Sequence, residues 1–247
     1  MKNNKVVTVA IIIGVCLFFS AVALGIAFYK SKKPAQTVSV IGLAEKDFTS
    51  DLIVWNLHYS VLDMNMKQAY SMLKEQNQIV RKFMKEQGVT DNEIDFKNIT
   101  TLPRNEWEWD NSINRSRDVF KGYEATQRIR IQSKDVEKIE KVIRAISELY
   151  DQNINLNSDQ PEYYYTKLSD LKLEMLAEAS KNAHDRAETV ANNSGGKLGG
   201  LKTATTGVFQ ITAPNSAEDS YEWGGAFNTS SKEKHVSINM RHTYYVK

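Results

Sequence analysis

Cysteine is nearly absent: the 247 residues contain one, Cys16, and it lies inside an apolar run. Everything after residue 33 is cysteine-free, which excludes a disulfide framework or a thiolate metal site there. Histidine is scarce as well. His58, His184, His235 and His242 form no H-x-x-x-H or H-x-H pair, so a metal site would have to assemble from distant elements. No G-x-S-x-G, P-loop or dinucleotide-binding glycine pattern occurs. Gly195-Gly196 and Gly199-Gly200 follow a helical stretch instead of opening one, and the partial negative charge of a helix C-terminus repels phosphate. No catalytic residue, metal ligand or cofactor is therefore expected. Concentrated positive charge is missing too. Five of the 32 basic residues, Lys2, Lys5, Lys30, Lys32 and Lys33, flank the apolar run, leaving 27 against 30 acids. Nucleic acid, which needs a dense basic surface, is not an expected partner.

What the first 33 residues do contain is a long uncharged stretch. Val6–Tyr29, 24 residues, carries no charge at all. At about 1.5 Å per residue it would make a helix of roughly 36 Å, enough for about 30 Å of hydrocarbon. Residues 1–33 are expected to be a signal anchor or transmembrane segment, with the membrane as partner. Ala21-Val22-Ala23 offers a small-x-small cleavage pattern, whereas the run ends at Lys30-Ser31-Lys32-Lys33 as an anchor does. The uncleaved anchor is the favoured expectation, and cleavage near Ala23 is the alternative. Residues 34–247 are then one domain outside the cytoplasm.

In that domain Thr37–Gly42 and Asp51–Leu62 alternate as strands, with Ile53, Trp55, Leu57, Tyr59 and Val61 on one face. Met66, Ala69, Tyr70, Leu73, Val80, Phe83 and Met84 fall at helical spacing, and Gly88 stops that helix. Strands are expected over Ile94–Leu102 and Val119–Gln132. A helix follows Ser133-Lys134-Asp135, with Val136, Ile139, Val142, Ile143 and Ile146 inward. A strand region broken by Pro161 spans Asn153–Leu168. A third helix, about Asp170–Asn193, places Met175, Ala179, Ala183, Ala187 and Ala191 on one close-packing ridge and ends at Gly195-Gly196. Lys197–Ile211 and Glu233–Val246 complete the order β-β-α-β-β-α-β-α-β-β. Strands adjacent in sequence are expected to pair antiparallel with helices on one face, an α+β fold.

Several strings in this order resemble the SIMPL domain family of YggE-like bacterial envelope proteins. They are Val38-Ser39-Val40-Ile41-Gly42, Gln87-Gly88-Val89, Gly122-Tyr123-Glu124-Ala125, and the alanine-rich helix running into Gly195-Gly196-Lys197-Leu198-Gly199. Leu43 departs from the pattern, where relatives carry a second glycine in a turn. The resemblance implies a bacterial envelope location, in the periplasm or facing outward, a link to envelope or oxidative stress, self-assembly, and no catalytic residues to carry over.

Two long connections stand out because hairpin loops are usually far shorter. Pro103–Asp118 contains Trp107 and Trp109, and Thr212–Ser231 contains Tyr221, Trp223 and Phe227. These loops either fold back over the sheet, meet another copy or a protein partner, or bind carbohydrate or a small ligand. Association is the expectation pursued, as a homo-oligomer or with a protein partner. The acids Glu106, Glu108 and Asp110 argue for a head-to-tail contact, since identical loops would repel. Asn77, on the apolar face of the first helix of the domain, is expected to bond neighbouring backbone. The competing expectation is an exported hydrolase with dispersed residues, which needs a cleft where His58 or His242 meets carboxylates.

Overall fold

The computed structural model describes residues 2–31, 36–112, 114–216 and 225–247, with side chains of the first helix from 13 to 26 and at 28. That helix, α1, spans Lys2–Ser31. Among the described residues, no helix is long and apolar enough to cross a membrane. The elements after it are β1 (Thr37–Thr49), β2 (Leu52–Asp63), α2 (Met66–Glu86), β3 (Ile94–Phe96), β4 (Thr100–Asp110) and β5 (Arg115–Ser133). Then come α3 (Val136–Ala145), a 3-10 helix (Ile146–Gln152), β6 (Leu156–Ser158), β7 (Glu162–Tyr164), α4 (Leu168–Asn193), β8 (Leu198–Thr206), β9 (Gln210–Thr212) and β10 (Glu233–Val246). The chain divides into two compact units, Met1–Gly42 with Ser180–Thr206 and Met240–Lys247, and Leu43–Ala179 with Gly207–Asn239.

The larger unit is built on β2 and β5, which pair antiparallel without a break from Ile53↔Ser133 to Asp63↔Tyr123. The alternation of β2 aims Ile53, Trp55, Leu57, Tyr59 and Val61 into one core. Ala125, Ile129 and Ile131 of β5 join them from the same face. Helix α2 covers this face with Ala69, Leu73, Val80, Phe83 and Met84, and α3 with Val136, Ile139 and Val142. Each helix starts at a capping side chain: Asn65 accepts from the Lys67 N–H at 2.9 Å, and Asp135 from the Lys138 N–H at 3.0 Å. Gly88, at φ 80, takes the left-handed position that ends α2. The short strands β6 and β7 line the other edge of β2, where the Trp55 Nε1–H donates to Ser158 Oγ at 2.8 Å.

In the smaller unit the alanine ridge is buried as expected: Ala183 and Ala187 are fully covered and Ala191 is 2% exposed. Arg186 donates to the Ile41 carbonyl at 2.8 Å. Strands β8 and β10 pair antiparallel from Met240↔Thr206 to Val246↔Leu198.

The α+β class with antiparallel sheets holds, but the expected order needs correction. Ile94–Leu102 is two strands, β3 and β4, and the region around Pro161 is likewise split into β6 and β7. Lys197–Ile211 breaks into β8 and β9. Sequence neighbours do not always pair, since β1 lies beside β10 and not beside β2. No turn occurs at Gly42-Leu43: β1 runs through it to Thr49. Met66 and Tyr70 face outward, 48% and 46% exposed, because α2 covers the sheet with a narrower stripe than the spacing suggested.

Candidate functional site

The largest departure from expectation concerns the tryptophans. Pro103–Asp118 is not a loop. Strands β4 and β5 stay paired through it, from Arg104↔Gly122 out to Asp110↔Arg115, with turn residues at 111, 112 and 114. Asn114 takes the left-handed conformation at φ 51. Because β2 ends its pairing at Asp63↔Tyr123, the stretch beyond has two strands among the described residues. It forms an arm of about 23 Å at roughly 3.3 Å per residue. Its base is Gly122, at φ 130, where a side-chain carbon would lie 2.7 Å from the Asp63 carbonyl oxygen. Only glycine fits there, and the bulge between Arg104 and Asn105 sits at the same point.

Alternation gives the arm two unlike faces. Asn105↔Phe120, Trp107↔Asp118 and Trp109↔Ser116 share one face. On it Trp107 is 75% exposed, Trp109 59% and Phe120 41%. Phe120 meets Tyr123 edge-on at 5.3 Å, and Asn105 Nδ2–H donates to Asp118 at 2.7 Å. The opposite face is a ladder of charge. Glu108 binds Lys121, Asp110 lies 3.5 Å from Arg117, and Arg104 is 3.7 Å from Glu106 and 3.3 Å from Glu124. The Lys121 ammonium holds Glu108 below the usual carboxylate range, and Glu108 in turn raises Lys121. From Arg104 to Lys121 the sequence has four basic and four acidic residues, a net charge of zero. Glu106, Glu108 and Asp110 lie on the face away from the rings, beside Arg104, Lys121 and Arg117, while Asp118 lies on the ring face and is bonded by Asn105.

Tyr221 and Trp223 lie outside the described residues. Phe227 is 49% exposed, bridges Ile211, and has its ring 6.4 Å from that of Tyr164. It is not part of the arm. Phe120 and Lys121 were missed in the sequence, although the period-two string Glu106-Trp107-Glu108-Trp109-Asp110 carries the strand signal.

The histidines do not assemble. His58 lines a groove with Arg128, Arg130 and Asp159, but makes no hydrogen bond or ion pair to a carboxylate among the described residues. His242 is buried beside the Tyr244 hydroxyl at 3.0 Å, with its Nε2 unpartnered. His235 is half-buried and bonded to Asp47 at 2.7 Å. Among the described residues no three His, Cys, Asp or Glu side chains gather as a metal site.

The family model described as SIMPL, protein of unknown function (DUF541), matches residues 38–243. The chain belongs to the SIMPL family. The match takes in every strand-bearing element of the fold, including the whole aromatic arm. No curated protein matches this SIMPL chain.

Proposed function

We propose that this SIMPL protein is a non-enzymatic, membrane-anchored protein of the bacterial envelope that works by self-association through the aromatic face of the β4–β5 arm. The observation that carries the reading is two exposed tryptophans on one face of the arm while the acids Glu108 and Asp110 pair with Lys121 and Arg117 on the other. An isolated two-stranded ribbon is marginally stable in water and leaves both edges unpaired, which is a template for another chain. A second copy supplies what the arm lacks. Its own aromatic face covers Trp107, Trp109 and Phe120, two-fold symmetry makes the contact self-complementary, and the one acid on that face, Asp118, is bonded by Asn105. The anchor part of the reading is supported by the uncharged Val6–Tyr29 sequence, and the link to envelope stress comes with the family resemblance.

The test is the mass of the full chain in non-ionic detergent by light scattering. The expected result is a dimer or larger assembly that Trp107→Ser with Trp109→Ser converts to monomer while circular dichroism is unchanged. A wild-type chain that stays monomeric at high concentration contradicts the reading and turns attention to a lipid surface or a different protein. Location is tested separately: a reporter active only outside the cytoplasm, fused after Lys247, is expected to be active.

A further inference from the structure

A second feature, independent of the arm, lies where α2 passes the segment Phe96–Ile99. A cleft of about 540 Å³ opens there, and none of the described residues lining it is acidic. One stripe of α2 forms its wall: Tyr70, Lys74, Asn77 and Arg81 recur at spacings of three and four, so all face the same way. The Arg81 guanidinium lies over the Phe96 ring at 3.6 Å from its centroid. Among the described residues neither Arg81 nor Lys74 has a carboxylate partner within ion-pair distance. Other cations of this domain do pair with an acid, Lys46, Lys97, Lys138 and Lys232 among them.

The floor of the cleft is a buried hydrogen-bond chain of fixed direction. Gln127, 2% exposed, donates its amide N–H groups to the carbonyls of Lys97 at 2.6 Å and Arg128 at 2.8 Å. With both donors used, its Oε1 must accept, and it does so from Asn77 Nδ2 at 2.8 Å. Asn77 Oδ1 then accepts from the Tyr59 hydroxyl at 2.7 Å. Burial pushes Tyr59 well above the ordinary tyrosine range, so its proton stays in place at all physiological pH. The orientation of the Asn77 amide is thereby set, and one of its two N–H groups remains for the cleft.

We propose that this cleft binds a small organic anion, its carboxylate or phosphate held between Lys74 and Arg81 and accepting from Asn77, its apolar part against Phe96 and Tyr70. A preset amide, two unpaired cations and an aromatic surface within one concave site are the elements that fix such a ligand. The unpaired guanidinium stacked on Phe96 presents its N–H edge without the cost of first breaking an ion pair.

Isothermal titration of the full chain in non-ionic detergent tests this with benzoate and phenyl phosphate, and with benzamide as the uncharged ring. Saturable binding of at least one anion is expected, and the tighter of the two assigns the head group. Arg81→Gln and Lys74→Gln are each expected to weaken it about tenfold, the loss of one charge-assisted hydrogen bond. Lys82→Gln, on the same helix outside the cleft, is expected to leave it unchanged. Failure of both anions to saturate below about 10 mM, where affinity is weaker than roughly 3 kcal/mol, would overturn the proposal. So would equal binding of benzamide, or binding indifferent to Arg81→Gln and Lys74→Gln.

Discussion

Strand β5 lives in two environments. From Tyr123 to Ser133 it is flanked by β2 on one side and by β3 and the start of β4 on the other, and its alternate side chains are buried. From Arg115 to Lys121 it has β4 alone, and nothing on it is fully buried. Backbone pairing is the same in both halves. What differs is cover: the trunk has α2 and α3 over one face, and the arm has no covering element among the described residues. Trunk aromatics such as Trp55 and Tyr59 are therefore explained by folding, whereas Trp107 and Trp109 are not.

This contrast can be broken by mutation. Trp55 is fully buried and its indole N–H is satisfied by Ser158, so Trp55→Ala is expected to cost about 3–5 kcal/mol in urea unfolding. At the junction of trunk and arm, Gly122→Val meets both the φ of 130 and the Asp63 carbonyl. It is expected to cost about 1–3 kcal/mol and to show as a lowered melting temperature.

Acid sharpens the comparison at the far end of the trunk. Burial alone would raise Glu93, yet hydrogen bonds from Lys138, Ser133 and Thr90 hold its carboxyl at about 2, against an ordinary 4.5. A depressed carboxylate stabilises the fold fully above its unfolded pKa and loses that contribution as pH falls toward the folded one. The advantage of the wild type over Glu93→Gln, on the order of 2 kcal/mol above pH 4.5, is expected to shrink between pH 4.5 and pH 2 in thermal melts. The smallest effect belongs to the arm: Trp107→Ser with Trp109→Ser is expected to shift monomer stability by no more than about 0.5 kcal/mol.

The trunk was legible in the sequence because one face of β2 is buried and period-two alternation follows directly from that. The stop of α2 at Gly88 and the buried ridge of α4 were legible for similar reasons of spacing and conformation. The extension of β1 beyond Gly42 was not, since its covered positions there are Gly42 and Ala44, too small to register as hydrophobic alternation. The arm was misread as a loop although Glu106 to Asp110 alternates perfectly, because Pro103 interrupts it and neither face is covered. Pro103 is tolerated because β4 is an edge strand. Asn77 was placed on the right helix with the wrong partners. Tyr59 and Gln127 are distant in sequence, and no local pattern announces a side-chain network that only the sheet register assembles.

The most direct test of the arm as an association surface is face-specific cross-linking in membranes, in a Cys16→Ser background. Ser116 shares the face of Trp109, and the neighbouring Arg117 points to the charged side. Under mild oxidation Ser116→Cys is expected to give a disulfide-linked dimer in high yield and Arg117→Cys little or none. Equal cross-linking at the two positions, or none at Ser116→Cys, would contradict association through the aromatic face.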